Sequence, residues 1–481
     1  MKTKDLLLLC CLSTALISTT DAPGQTFTNL YSFTALQMSS PTSFTNSDGA
    51  QPYAGLVLSG NRLYGTASGG GSANLGTTFA INADGAAFAN LRNFSSGGTR
   101  PYGRLVLSGG SLYGVIYQNS LTSGTGKIFR MNTNGSGYTV LRNFTPLVNS
   151  TNSDGANPYA GLALANETLY GTTLAGGNAG GGTIFSINTN GSTFTNLHNF
   201  TVRVGATNSD GVFPHGGLAF SGDRLYGTAK EGGDWGNGTI YAMQTNGVGF
   251  TVLHHFTTST NSTNSDGAYP QGALIESGGI LYGTATDGGN FGSGTVFALN
   301  IDGTGFTNLH HFTGLSVGTN SDGAHPVAGL ILSGNTLYGT TTVGGSGGAG
   351  TIFSLKKDGS IFTSLYGFTG ANDGASPSSD LALSANVLYG TTVFGGSANN
   401  GTVFSLGLPE ISSPQLTIIS SGTNVVLTWP IEAAGFTLQS ATNLVSPVSW
   451  NLVPPPPANV NGQNTVTNAI SGIQQFYRLS Q

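Results

Sequence analysis

The tripeptide Leu-Tyr-Gly occurs seven times in this chain of 481 residues, with its tyrosine at Tyr64, Tyr113, Tyr170, Tyr226, Tyr282, Tyr338 and Tyr389. The intervals are 49, 57, 56, 56, 56 and 51 residues, and a proline keeps the same phase at Pro52, Pro101, Pro158, Pro214, Pro270, Pro326 and Pro377. Two independent markers in one register make the repeat secure. Each unit must then bury its apolar face against its neighbours.

Every unit holds four short β-type runs. In the fifth they are Gly272–Ile275, Leu281–Thr284, Gly294–Leu299 and Phe306–Phe312. Turn pairs such as Asn190-Gly191 and Asp302-Gly303 join the third run to the fourth, as a tight hairpin requires. Four strands in ~50 residues is the pattern of a propeller blade. The chain ends decide how the blades are arranged. The third run occurs for the seventh time at Gly401–Leu406 with no fourth run after it, whereas Phe27–Phe33 has the fourth-run pattern and precedes any first run. An N-terminal outer strand that completes the last blade closes the ring and removes a sheet edge. The expected fold is therefore all-β: a seven-bladed β-propeller over residues 26–406, with 26–34 pairing with 401–406. A parallel β-helix has shorter coils and needs no such permutation.

Hydrophobic residues make up 38% of the chain and are spread evenly, enough for a large core. The net charge of -5 excludes a basic field for nucleic acid or anionic lipid. Residues 1–22 combine Lys2 and Lys4, an apolar core from Leu6 to Ile17, and small polar residues from Ser18 to Ala22. That is the plan of a signal peptide, and the run falls short of the ~18 apolar residues of a span. A secreted or cell-surface protein with no membrane span in the mature chain is expected. Cys10 and Cys11 both lie in this segment, so the mature chain has no disulfide or thiol chemistry.

Composition shifts after Leu406. Pro409 and Pro414 flank a linker at 407–414, and residues 415–481 show alternating runs at Val425–Trp429, Phe436–Ser440 and Gln475–Leu479. These suggest a small fibronectin-like β domain with Trp429 and Trp450 in its core.

The order Leu337-Tyr-Gly-Thr-Thr-Thr-Val-Gly-Gly345, then Gly350-Thr-Ile-Phe-Ser-Leu355, then Phe362 to Phe368 resembles the GloVer-type tandem repeats of bacterial surface and secreted proteins, known as choice-of-anchor proteins. The resemblance covers roughly residues 26 to 406. It implies a surface or secreted repeat protein and brings no catalytic residue with it. Repeat two departs most, with Val115 after Leu-Tyr-Gly and no Asp-Gly before Pro101.

In such a ring the connections from fourth strand to next first strand, and from second to third, share one face. Here they are the long ones, such as Thr263–Ala268 and Thr286–Gly292, and the long-loop face is the expected binding face. Asp48, Asp154, Asp210, Asp266, Asp322 and Asp373 recur there before glycine, as Asx-type turns favour. Equally spaced carboxylates cannot share one Ca²⁺, so no metal or other cofactor is expected. Repeat four is the least regular on this face, with His215, Lys230, Glu231, Asp234 and Trp235, and repeat five adds Asp287 and Phe291. A tryptophan beside carboxylates suits stacking of a sugar or peptide, which makes His215, Glu231, Asp234, Trp235, Asp287 and Phe291 the candidate ligand-binding set, for a glycan or a protein. His198, His254, His255, His310 and His311 lie in fourth runs and read as half-buried strand residues. Gly344–Gly348 matches Gly-x-Ser-x-Gly without the strand-to-helix elbow that gives the motif its chemistry. The expected function is noncatalytic extracellular recognition or cell-surface structure. The alternative is a propeller carbohydrate lyase or hydrolase, which needs two acids ~5 to 9.5 Å apart, and Glu231 with Asp234 or Asp287 is the grouping available.

Overall fold

A computed structural model describes residues 25–40, 43–95, 99–118, 125–409, 415–430, 436–443, 448–460, 463–469 and 475–480. The expected signal peptide and most of the linker lie outside these residues. All regular structure among the described residues is β, and no helix there is long and apolar enough to cross a membrane.

The repeats form a propeller-like series of four-stranded antiparallel sheets, numbered here by repeat. Sheet 5 runs Ile275–Ser277, Ile280–Ala285, Thr295–Asn300, Thr307–His311, paired in that order. Its two middle strands are buried on both faces, which explains the Leu-Tyr-Gly signature. Leu281 and Tyr282 point into packed layers on opposite sides. A Cβ at Gly283 would lie 2.6 Å from the Phe297 ring and 2.7 Å from Leu274. The third-strand aromatic thus occupies the space that glycine leaves, and the same clash recurs at Gly65, Gly114, Gly171, Gly227, Gly339 and Gly390.

Among the described residues of the repeats the core is divided, each apolar cluster lying between consecutive sheets: Tyr64, Ala80 and Phe94 of sheet 1 meet Leu112 and Phe129 of sheet 2, and Tyr226 and Ile240 of sheet 4 meet Leu281 and Phe297 of sheet 5. The last cluster joins Ala382, Tyr389 and Val403 to Leu56, Leu63 and Phe79, so sheet 7 packs on sheet 1. Truncating one such residue to alanine costs about 2–5 kcal/mol.

Sheet 7 is made from both ends of the repeat region. Thr26–Ser32 pairs antiparallel with Thr402–Gly407, Thr26 opposite Gly407 and Ser32 opposite Thr402, as the order of the runs predicts. Just beyond, the Phe33 amide donates to the Gly401 carbonyl (3.1 Å), and the buried Phe33 ring lies edge-on to Phe79 at 5.3 Å. The first runs are shorter than expected. Of Gly272–Ile275 only Ile275 begins a strand, because the Gly272 backbone lies against Ala328, where a Cβ would come within 2.6 Å of its carbonyl oxygen.

A flat group on each fourth strand stacks on an aromatic of the next sheet. The pairs are Tyr31 on Phe88 (3.9 Å), Arg92 on Tyr138 (3.5 Å), Arg142 on Phe194 (4.3 Å), His198 on Phe250 (3.7 Å), His254 on Phe306 (3.9 Å), His310 on Phe362 (3.9 Å) and Tyr366 on Phe27 (4.0 Å). The N-terminal strand supplies a member to the first pair and to the last. Three histidines read from sequence as half-buried strand residues are thus inter-sheet latches.

The recurring aspartates hold these latches. Asp266 accepts from His254 Nε2 (2.9 Å), the Thr257 amide and the Thr257 hydroxyl. Asp210 and Asp322 repeat this with His198 and His310, Asp154 with Arg142, and Asp48 and Asp373 with Tyr31 and Tyr366. In five of the six the expected Asx turn belongs instead to the asparagine two residues earlier, and Asp373 has Ala371 there. Asn264 Oδ1 accepts from the Gly267 and Gly289 amides, tying the two long loops of a repeat together. The aspartate, buried in five repeats and half-buried at Asp373, is an anchor because its neighbours offer three donors that only a carboxylate can take at once.

Residues 417–480 form two further sheets, Thr417–Ser421, Asn424–Pro430, Gln463–Ala469 and Ala458–Val460 in that order, and Asn451–Leu452, Thr437–Ala441 and Phe476–Ser480. Leu427, Trp429, Leu438, Val453 and Val466 make the core, with Trp429 fully buried as expected. Trp450 departs from expectation. It is half-buried, with the Arg478 guanidinium 4.3 Å over its ring.

Candidate functional site

In every repeat the chain leaves its long loop, passes the phase-keeping proline and enters the first strand. The proline ring seats on the glycine that opens the third strand of the preceding sheet. A Cβ at Gly238 would lie 2.7 Å from Pro270 Cδ, and one at Gly401 2.6 Å from Pro52 Cδ. These glycines sit at φ +102° and +94°, where a side chain is disfavoured in any case. With the proline fixed there, the next residue faces the axis. A cavity of about 700 Å³ runs between the first strands and is lined from all seven repeats by Tyr53, Tyr102, Tyr159, His215, Gln271, Val327 and Ser378. The residue after proline is therefore one position read seven times around a channel mouth.

The lining differs sharply around the ring. Repeats 1 to 3 contribute tyrosine, with Tyr102 stacked on Tyr159 at 4.8 Å and edge-on to Tyr53 at 5.3 Å. Tyr117 adds a fourth ring, 5.6 Å from Tyr102 and 6.2 Å from Tyr159. His215 continues the arc, 4.2 Å from Tyr159. Burial, and then the Lys230 charge, lower the His215 pKa to about 3, so its imidazole is neutral at any physiological pH. Burial raises the phenols of Tyr53, Tyr117 and Tyr159, which stay protonated and able to donate.

Repeat two builds this arc by leaving the pattern. Elsewhere the residue before the proline is left-handed, with Gln51 at φ +56°, Asn157 at +61°, Phe213 at +56°, Tyr269 at +57°, His325 at +56° and Ser376 at +53°. For Phe213 and Tyr269 that conformation costs of order 1 kcal/mol, compensated by a hydrogen bond to the preceding sheet, Phe213 to the Gly181 carbonyl (3.0 Å) and Tyr269 to that of Asn237 (2.8 Å). In repeat two, Thr99–Arg100 is a strand instead. It pairs with Tyr117 and Gln118 at the end of an extended second strand, Ser111–Gln118. This places Tyr117 and Arg100 beside the tyrosines, where Tyr53, Leu75, Arg100, Tyr102, Tyr117, Tyr159 and Leu174 line a second cavity of about 530 Å³.

Of the residues singled out from sequence, His215 alone reaches the channel. Trp235 and Phe291 occupy one position of the loops between second and third strands in consecutive repeats, and each is 55% exposed. Four other repeats carry Ala73, Ala179, Gly347 and Ala398 at that position, and the sequence register of repeat two gives Ser123, which lies outside the described residues. Glu231 pairs with Arg203 and forms a bridge to Val212; Asp234 lies 3.6 Å from His255 Nδ1; Asp287 is bonded to His325 Nδ1 at 2.7 Å. The three acids thus answer to three different partners. That bond to Asp287, against a smaller effect of burial, raises the His325 pKa.

The tyrosines escaped sequence reading although Pro52-Tyr53, Pro101-Tyr102 and Pro158-Tyr159 stand in register. The proline served as a phase marker, and the residue after it changes from repeat to repeat.

The Gloeobacter/Verrucomicrobia repeat profile matches residues 15–151, 143–321 and 261–424. No curated protein sequence matches the chain. Among solved structures, similarity extends to an oligogalacturonate lyase from Vibrio parahaemolyticus (9% identity, 80% of this chain and 98% of that one, TM-score 0.48). A putative 6-phosphogluconolactonase from Bacteroides uniformis is similar at 14% identity, over 88% of this chain and 100% of that one, with a TM-score of 0.45. PorZ, a surface component of the type-IX secretion system of Porphyromonas gingivalis, is similar at 12% identity, over 92% of this chain and 59% of that one, with a TM-score of 0.44.

Proposed function

We propose, for a chain that belongs to the Gloeobacter/Verrucomicrobia repeat family, a secreted or cell-surface recognition protein that binds a glycan or protein without turning it over. The scaffold is a seven-bladed β-propeller over residues 26–406, closed by its N-terminal outer strand. A linker at 407–414 and a small fibronectin-like domain at 415–481 follow. A signal peptide at 1–22 directs export.

One observation carries the reading. Two neighbouring repeats each place a large aromatic, more than half exposed, at a loop position where four other repeats have alanine or glycine. Exposed aromatics on a rigid frame, here on loops that also carry Glu231, Asp234 and Asp287, are the usual means of gripping a sugar ring or a peptide. Each of those acids also has its own basic or imidazole partner, which favours binding over paired-acid hydrolysis.

A glycan array probed with the mature protein identifies the ligand. Against it Trp235→Ala should weaken binding by about 1–3 kcal/mol with little change in the melting temperature, since the ring stacks on ligand rather than on core. An unchanged affinity, with loss on substituting the short-turn face, places the site elsewhere.

A further inference from the structure

We propose that the tyrosine arc of repeats 1 to 3, with Arg100, is a second binding site at the channel mouth, taking a six-membered ring that bears a carboxylate. It is independent of Trp235 and Phe291, which lie on the loops between second and third strands of repeats four and five and line neither cavity.

Four rings whose contacting pairs have centroids 4.8–6.2 Å apart border one cavity of about 530 Å³, the size of a small-ligand site. All four are half-buried, so their faces and hydroxyls line space rather than fill a core. Aromatic faces receive the C–H faces of a sugar or the plane of another aromatic, and protonated phenols donate to and accept from its substituents. Charge then selects among ring ligands. Arg100 is the charged residue of this lining, and no described residue lining it is acidic. A tyrosine cage for a quaternary ammonium group has no use for a guanidinium at its edge, whereas a carboxylate gains a forked, charge-assisted pair with it.

The position of Arg100 makes the arrangement specific. It stands where six other repeats have a left-handed residue locked to the preceding sheet. It is released from that duty because Thr99–Arg100 pairs with the extended second strand that also delivers Tyr117. One local departure therefore brings both the cation and the fourth ring to the site.

The test is calorimetric titration of the full mature chain with glucuronate, glucose, 4-hydroxybenzoate and tetramethylammonium. Glucuronate or 4-hydroxybenzoate should bind, and whichever binds more tightly tells whether the ring is a sugar or an aromatic acid. Arg100→Gln should weaken the carboxylated probe about tenfold and bring glucuronate down to the level of glucose. Tyr102→Ala should weaken it at least as much, and Tyr102→Phe, which keeps the ring, should restore most of the affinity in a protein of unchanged melting temperature. Trp235→Ala should have no effect on these probes, so failure of the reading on Trp235 and Phe291 is distinguishable from failure of this one. Tetramethylammonium binding more tightly than either acid, no binding by either acid, or equal loss on Trp235→Ala would overturn the proposal.

Discussion

The ring of stacked latches between sheets and the ring of residues at the channel mouth are each read once per repeat, yet they vary by different rules. At the latch the chemistry changes from tyrosine to arginine to histidine while the geometry holds, with a flat group 3.5–4.3 Å from an aromatic in every pair and an aspartate bonded to tyrosine, arginine or histidine in six of seven. At the mouth the position after proline runs through tyrosine, histidine, glutamine, valine and serine, with no common partner. A position that joins sheets accepts any side chain that is flat and donates to the carboxylate. A position whose contacts differ from repeat to repeat, stacked rings in repeats 1 to 4 and a bond from Gln271 to Thr286 in repeat 5, is free to take on a ligand's chemistry.

The contrast is tested most severely where the latch ring depends on a distant segment. Deleting residues 26–33 removes Phe33, Tyr31 and Phe27 together and bares the third strand of sheet 7. Calorimetry should show a loss well above the about 3–5 kcal/mol of a single buried phenylalanine, and gel filtration should show association through the bared edge. A deletion with an unchanged melt would break the picture of a ring held by its ends.

Next in size is the anchor. Asp266→Ala strands the Thr257 amide and frees His254, and urea unfolding should report about 2–4 kcal/mol. Within the latch itself, His254→Tyr should cost under about 1 kcal/mol because Tyr31 and Tyr366 do the same work, while His254→Ala should cost about 1–2 kcal/mol. Equal losses from the two would mean that the pair is not interchangeable.

The remaining effects are on pH and oppose each other. His325 has its pKa raised by Asp287, so its contribution is complete below the ordinary value of 6.5 and fades as pH rises through the folded value. His215 has its pKa lowered, so folding favours the neutral ring, and stability is lost as pH falls below 6.5 toward about 3. Melting curves from pH 8 down to pH 5 should show His325→Gln losing stability relative to wild type at the acid end. His215→Gln should gain there by the same comparison.

Much of this architecture is legible in the sequence because repetition amplifies it. Leu-Tyr-Gly marks the second strand through a clash that recurs seven times, and the stranded third run at Gly401–Leu406 points to Phe27–Phe33 as its partner. The anchor was misread because Asn-x-Asp-Gly is locally a turn signal. What makes Asp266 an anchor is Thr257 nine residues back and His254 twelve back, partners that become adjacent only once the loop folds over the fourth strand. At the mouth, Tyr53, Tyr102 and Tyr159 lie about 50 residues apart and meet only when the sheets are arranged around an axis. The departure of repeat two at Val115 was visible, but that it trades a left-handed residue for an extra strand pair is a property of the backbone.

The pairing of Ser32 with Thr402 also sets an order of assembly. The segment synthesised first has its seat on a strand synthesised last, and the contacts of the six contiguous sheets are local by comparison. A ribosome-bound chain that ends before Thr402 holds those sheets as an open arc whose leading strand lacks the Thr402–Gly407 partner. Closure is then a single long-range event that turns a row of weakly coupled units into one cooperative body, and any process that engages the leading strand before then keeps the whole ring open.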